Sequence, residues 1–189
     1  MKSIFVVTHR RGFEADPVID MLRRDGMPVF RFNCDAGNEA SLVSFAVGSK
    51  DNKISFMCDS REINLAEIGV GWCQQLPPYL SQAASVNENL QRKNLWAAQL
   101  ASFDSLGVSW LNNPRNVLFA ASKPLQLVYA RSVGLNVPDT LISNVPQHIR
   151  SFAENQPTIA KNLATPWVVS LTETQAAYTR IIEPNWLQN

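Results

Sequence analysis

The chain has 189 residues, 46% of them hydrophobic, with 17 Lys and Arg against 16 Asp and Glu for a formal net charge of +1. That is apolar material for one domain, or for one domain and part of a second, and a balance this near neutral carries no general footprint for nucleic acid or an anionic membrane. The first apolar run breaks at Thr8-His9-Arg10-Arg11, too early for a secretory signal, and no run approaches the roughly 18 residues that cross a bilayer, so the expected compartment is the cytoplasm.

Residues 4–7 are β-branched and aromatic and predict a buried strand. Asp16-Pro17 predicts a helix start, with Asp16 as N-cap and Pro17 at the first helical position. Val18, Ile19 and Leu22 give that helix a narrow apolar face, and Gly26 stops it. Residues 28–32 predict a second strand, and a strand, helix and strand within about 30 residues favour a parallel sheet. Residues 41–47 and 53–57 predict a hairpin around the polar turn Ser49-Lys50-Asp51-Asn52. Residues 68–73 predict another strand, followed by the loop Gln74-Gln75-Leu76-Pro77-Pro78-Tyr79. The longest helical pattern covers residues 83–106, with Leu90, Ala97, Leu100, Ala101 and Phe103 on one face. Gly107 ends it ahead of a short strand at 108–111, and Asn112-Asn113-Pro114 reads as a seam between two units. Beyond the seam the sequence predicts a helix over 123–133, capped by Ser122 and stopped by Gly134, then a strand at 139–143. A helix capped by Asn144 and carrying Ile149 and Phe152 comes next, then strands at 158–163 and 176–182. The fold class expected is α/β, a Rossmann-like, mostly parallel sheet with flanking helices and a partial second subdomain.

The chemistry-bearing residues are few. Cys34, Cys58 and Cys73 are odd in number and lack CxxC spacing, so they suggest small buried thiols rather than a disulfide framework or a zinc site. No GxGxxG or GxxxxGK[ST] is present, which removes the glycine machinery of classical dinucleotide and P-loop sites. With only His9 and His148, and no HExxH or GxSxG, a hydrolytic triad or a histidine metal site is not expected. His9, Arg10 and Arg11 follow the first strand, where open α/β sheets bind ligands, and form a candidate anion loop; the alternative is a solvated loop. Lys123 begins a helix, where backbone N–H groups and the dipole favour an anion. Lys161 closes an apolar strand pattern and must be paired or reach solvent. On composition alone, both lysines read as snorkelling surface side chains.

Several segments together resemble the N-terminal half of the ATP-grasp ligases that mature ribosomal peptides, the microviridin or graspetide type. Val6-Val7-Thr8-His9 is similar to the opening strand and TH motif, and Phe30-Arg31-Phe32-Asn33 to the RFN element. Gly69-Val70-Gly71-Trp72 resembles the strand before the RRP motif, and Ser109-Trp110-Leu111-Asn112-Asn113-Pro114 resembles WVNPP. Ser122-Lys123-Pro124-Leu125-Gln126-Leu127 is similar to NKLLQL, and Gly134-Leu135-Asn136-Val137-Pro138-Asp139-Thr140-Leu141 to GLxxPDTLxT. Ile159-Ala160-Lys161-Asn162-Leu163 stands at the YKPL strand and Tyr178-Thr179-Arg180 at the YT segment. The pieces stand in family order and cover nearly the whole chain.

The resemblance implies a pre-ATP-grasp domain over residues 1–112 and the incomplete start of an ATP-grasp nucleotide-binding domain over 113–189. It implies a family chemistry in which ATP activates an Asp or Glu side chain of a precursor peptide as an acyl phosphate. A Lys, Ser or Thr side chain then closes a lactam or lactone. Lys123 and Lys161 would be the two nucleotide-binding lysines, with a precursor peptide as partner. Three departures bear on this. The acidic residues and Asn that hold magnesium in the family lie downstream and are missing from this sequence. Ala164-Thr165-Pro166-Trp167-Val168-Val169 stands where a glycine-rich loop is expected, and Gln74-Gln75-Leu76 stands in place of RRP. The expectation is therefore a diverged relative with ATP binding weakened or lost and no turnover alone. The alternative is a non-catalytic binding or assembly protein that dimerises through an apolar face carrying Trp167, Trp186 and Leu187. A third reading is a generic α/β protein with a small-molecule site near His9 and Arg10.

Overall fold

The structure, a computed structural model, describes residues 1–34, 41–48, 52–76, 107–154, 156–163, 167–169, 174–176 and 178–182. The chain divides into two compact units, Met1–Phe119 and Ala120–Asn189.

The first unit is built on a parallel sheet. Strand β1 (Ser3–Thr8) leads through a 3-10 turn at Phe13–Ala15 into helix α1 (Asp16–Arg24) and back to β2 (Val29–Asn33). Strands β3 (Ser41–Val47), β4 (Asn52–Cys58) and β5 (Arg61–Asn64) make an antiparallel meander; then come β6 (Ile68–Cys73), β7 (Ser109–Leu111) and helix α2 (Pro114–Ala120). The order in the main sheet is β2-β1-β6-β7, with every pair parallel. The expected parallel α/β sheet is thus present.

Strand β1 is apolar from Ile4 to Val7 because both of its faces are covered, as parallel sheets require. Val6 faces a cluster with Ala15, Ile19 and Val29, against which Leu22 packs. Phe5 and Val7 face the other way, into a cluster with Phe30, Phe32, Ile54, Phe56, Ile63 and Cys73 that the antiparallel meander helps to close. Phe5 sits among rings, with centroids at 4.6 Å to Phe56, 5.8 Å to Phe32 and 6.0 Å to Phe30. Helix α1 ends in a Schellman turn. Gly26 takes a φ of +76°, its N–H bonds the Arg23 carbonyl at 3.0 Å, and Met27 N–H bonds Leu22 at 2.9 Å.

In the second unit, α3 (Lys123–Ser132) ends at Gly134 in the same way, with a φ of +84° and bonds from Gly134 to Arg131 and from Leu135 to Ala130. Helix α4 (Pro146–Glu154) follows. Two short antiparallel ladders complete the described residues: β8 (Ile159–Ala160) with β11 (Arg180–Ile181), and β9 (Trp167–Val169) with β10 (Thr174–Ala176).

Several expectations need correction. Asp16 is the first residue of α1 rather than its cap, because its carboxylate is drawn into an ion pair with Arg31. Ser122 occupies the N-cap position of α3, but its hydroxyl makes no cap bond; its carbonyl accepts Gln126 N–H instead. Residues 139–143 form no strand: they are mostly exposed, and Thr140 folds its hydroxyl onto the Pro138 carbonyl at 2.8 Å instead of joining a ladder. Asn144 does not cap α4; Val145 supplies the carbonyl for His148 and Ile149, and Pro146 starts the helix. The strand expected at 176–182 is interrupted, with β10 ending at Ala176 and β11 beginning at Arg180. Strand β5 and helix α2 were not anticipated. The long helix expected over 83–106, the loop at 77–79 and the hairpin turn at 49–51 lie outside the described residues, as do Trp186 and Leu187.

Candidate functional site

After β1 the chain crosses to β2 on one side, whereas β6, on the other side of β1, continues to β7 further out. The connections therefore diverge between β1 and β6, and such a switch leaves a crevice outside the carboxyl ends of the two strands. The loops after β1 and β6 line it in pairs. Thr8, fully buried, donates its hydroxyl to Gln74 Oε1 at 2.9 Å, and His9 Nε2 lies 3.3 Å from Gln75 Oε1. Gln74 N–H also bonds the Val7 carbonyl at 3.0 Å, which carries the β6 loop alongside β1.

Arg31 braces the crevice from β2. Its NH2 group donates to the His9 carbonyl at 2.9 Å, its Nε to Asn33 Oδ1 at 2.8 Å, and its NH1 forms an ion pair with Asp16. One guanidinium thus ties the first helical residue, the end of β2 and the loop after β1 together, using the planar fork that suits arginine to such a node. Gly12 turns that loop, its N–H bonding the His9 carbonyl at 2.9 Å. A β-carbon there would strike the Thr8 hydroxyl and lie 3.3 Å from Gln74 Oε1, so the loop closes against the strand ends only because the residue is glycine.

Of the anion-loop residues taken from the sequence, His9 is half-buried and engaged with Gln75. Arg10 is exposed and 3.7 Å from Asp59, a contact that contributes little at 57% and 62% side-chain exposure. Arg11 is exposed. Sequence reading missed Arg31, Asn33, Gln74 and Gln75. The available signal was position: two amide side chains directly after a buried strand, and a cation inside an apolar strand.

In the second unit, Lys123 stands at the first position of α3 and reaches across 40 residues to donate from Nζ to the Leu163 carbonyl at 2.7 Å. That carbonyl lies two residues beyond the exposed Lys161, so the ammonium of Lys123 sits against the segment that carries the second lysine. Neither lysine forms an ion pair among the described residues.

No protein-family profile matches the sequence, and no curated protein does. Solved structures do match. A Chryseobacterium gregarium ATP-grasp ligase associated with ribosomal peptides, in complex with ADP and a leader and core peptide, aligns over 100% of this chain and 58% of its own, with a TM-score of 0.73 and 18% identity. The macrocyclase MdnC of Microcystis aeruginosa MRC, bound to precursor peptide MdnA, aligns over 98% of this chain and 63% of its own, with a TM-score of 0.77 and 24% identity. This chain has the fold of the N-terminal part of such ligases. It spans less than two thirds of the length of either, and at these identities the likeness is one of fold. A third match, the ligase PsnB with minimal precursor, magnesium and ADP, has a TM-score of 0.59 and 23% identity over 98% of this chain and 57% of its own.

The residues present can be tested against those two ligands. Two lysines without a carboxylate partner among the described residues, one bonded to the segment just after β8 that bears the other, fit a polyphosphate, which needs positive donors and repels acids. A magnesium ion needs several oxygen ligands with carboxylates among them, and no group of three His, Cys, Asp or Glu gathers among the described residues. The described residues do not fit the metal. No helix among them is long and apolar enough to cross a membrane.

Proposed function

We propose that this chain is a diverged front portion of an ATP-dependent peptide ligase of the graspetide type, and that it binds a nucleotide without turning it over unaided. The observation that carries the reading is the junction of Lys123 with the 161–163 segment inside a chain that aligns with ligase structures over 98–100% of its length. In this reading Lys123 and Lys161 offset the charge of the nucleotide's phosphates. Residues 1–112 form the pre-ATP-grasp domain, and 113–189 begin the nucleotide-binding domain. The partner is a ribosomal precursor peptide whose Asp or Glu side chains the complete machinery activates as acyl phosphates, as the ligand-bound relatives suggest. Transfer of the phosphoryl group is mainly charge stabilisation and positioning. Two lysines without metal ligands suffice to hold phosphates but leave the transferred group's charge under-compensated.

Calorimetric titration with ADP tests the binding step. Saturable binding that weakens at least tenfold in Lys123→Ala and in Lys161→Ala supports the reading, and unchanged binding in both variants removes it. Measurable peptide ligation by the chain with ATP, magnesium and a carboxylate-rich peptide would overturn the claim of no turnover.

A second reading, a non-catalytic assembly protein, is favoured by a different observation. None of residues 120–154, 156–163 and 178–182 is buried, and Ile159, Tyr178 and Ile181 are exposed at 61%, 73% and 66%. Apolar surface on that scale invites a partner. Sedimentation analysis of the chain separates the two: a dimer with no response to ADP supports assembly, and a monomer that binds ADP supports the ligase reading.

A further inference from the structure

The first unit has a second concavity, at the amino ends of the parallel strands. It is a cleft of about 570 Å3, within the size range of small-molecule sites. Its lining is mixed: the apolar side chains of Ile54, Leu65, Ile68 and Val108 stand beside Asn64 and two lysines, Lys2 and Lys53. Lys2 immediately precedes β1, Ile68 begins β6 and Val108 precedes β7, so the cleft opens at the opposite end of the sheet from the Thr8–Gln74 crevice.

The frame of this cleft is fixed by local chemistry. Gly107 enters β7 with a φ of +66°, a conformation that residues with a β-carbon rarely adopt. The 3-10 turn Leu65–Glu67 is held by a capping box, in which Glu67 Oε2 accepts Asn64 N–H at 2.8 Å and Asn64 Nδ2–H at 3.0 Å. Gly69 in β6 leaves room for the stem of Lys2: a β-carbon there would come 2.9 Å from Lys2 Cβ. Lys2 is thereby laid across the strand rather than swung free of it.

The charges in the cleft are not balanced from within. Neither Lys2 nor Lys53 makes an ion pair among the described residues. The acid of the frame, Glu67, already gives one carboxylate oxygen to two donors of Asn64. Two lysines beside aliphatic side chains in one cleft suit a ligand with a negative head and an apolar body. A bare inorganic anion would leave the aliphatic side chains wet, and a neutral apolar molecule would leave the lysines unmet.

We propose that this cleft binds a carboxylate carried on a short apolar body. The head sits between Lys2 and Lys53 and the body lies on Ile54, Leu65, Ile68 and Val108. The proposal is independent of the nucleotide reading, since it involves no residue of the second unit. The same chemistry is offered by a free aliphatic acid and by an acidic side chain next to an apolar one in a peptide.

The test follows backbone amide shifts of Ala66, Gly107 and Val108 in the full chain during titration with octanoate, with octanol and acetate as the two half-ligands. N-acetyl-Leu-Glu-amide serves as the peptide form. Octanoate should shift these amides saturably and bind at least tenfold more tightly than octanol or acetate. The double substitution Lys2→Gln with Lys53→Gln should weaken octanoate at least tenfold and leave octanol within twofold. Ala66→Trp, placed on an exposed residue of the turn, should fill the cleft and abolish the shifts while the Thr8 and Gln74 amides stay in place. Equal binding of the dipeptide assigns a peptide source, and octanoate alone assigns a free acid; either outcome supports the proposal. No saturable shift, or one that survives both the double substitution and Ala66→Trp, overturns it.

Discussion

Thr8 and Gln74 join the carboxyl ends of two neighbouring parallel strands through a hydroxyl-to-amide bond of 2.9 Å, and Gly12 stands in the adjoining loop where a methyl group would collide with that hydroxyl. Gly12→Ala is therefore expected to push the loop off the strand ends and to destabilise the first unit by about 1–3 kcal/mol. Thr8→Val removes the donor while keeping the shape, leaving the Gln74 carbonyl without it at a cost of about 1–3 kcal/mol. Urea denaturation measures both. A midpoint for Gly12→Ala equal to that of the parent chain would contradict the collision.

The node at Arg31 makes a separate prediction. Its guanidinium is 20% exposed and the Asp16 carboxylate 44%, so their pair is only partly screened by water. A double-mutant cycle of Arg31→Ala and Asp16→Ala should return a coupling of about 0.5–3 kcal/mol. Arg31→Lys should recover less than half of the Arg31→Ala loss, because an ammonium cannot serve His9, Asn33 and Asp16 in one plane.

Gly71 on β6 pairs with Trp110 on β7, and a β-carbon there would lie 2.5 Å from two atoms of the indole ring. The ring also stands edge-on to Phe5 with centroids 6.2 Å apart. Gly71→Ala should displace the indole and cost about 1–3 kcal/mol, visible as a change in tryptophan near-ultraviolet dichroism along with a lower urea midpoint.

Burial pushes the Cys73 thiol up to about 12, from an ordinary value near 9. The thiol is an acid whose folded-state value lies above its unfolded one, so its contribution to stability is complete below pH 9 and is lost as pH rises from 9 toward 12. There the unfolded chain sheds a proton that the folded chain keeps. The slope from this one group is at most about 1.4 kcal/mol per pH unit. Comparing the pH dependence of stability in the parent chain and in Cys73→Ala between pH 8 and 11 isolates it: the parent should fall more steeply. At pH 8 the folded protein should resist thiol-specific labelling at Cys73, which is protonated and buried.

The parts of the fold that were legible are those specified locally. β1, α1 and β2 follow from an apolar run, a Pro at a helix start and a Gly at its stop, all within one crossover. β5 was not legible because its hairpin turns at Asp59 and Ser60, both at positive φ (49° and 62°), without the Gly that usually marks such a turn. α2 was not legible because Asn113-Pro114 signals a break as readily as a start, although Asn113 Oδ1 in fact accepts Arg115 N–H at 2.9 Å. The strand expected at 139–143 has the right residues but no neighbour to pair with among the described residues, and pairing is not written in a single segment. The site was half legible. His9 was flagged by its place after a strand, but Gln74 and Gln75 acquire their meaning from neighbours 66 residues away in sequence, and Arg31 from Asp16 and His9, 15 and 22 residues away.

The order β2-β1-β6-β7 also sets a clock for folding. β1 pairs with β2 within one crossover, but its other edge waits for β6, and Ser3 meets Ile68 only 65 residues later. At a synthesis rate of roughly 5–20 residues per second, that edge of Phe5, Val6 and Val7 stays unpaired for roughly 3–13 seconds on the ribosome, while the local β3-β4-β5 meander is free to form first. The strand whose Phe5, Val6 and Val7 are at most 1% exposed in the finished protein is therefore left with one open edge for that interval while the protein is being made.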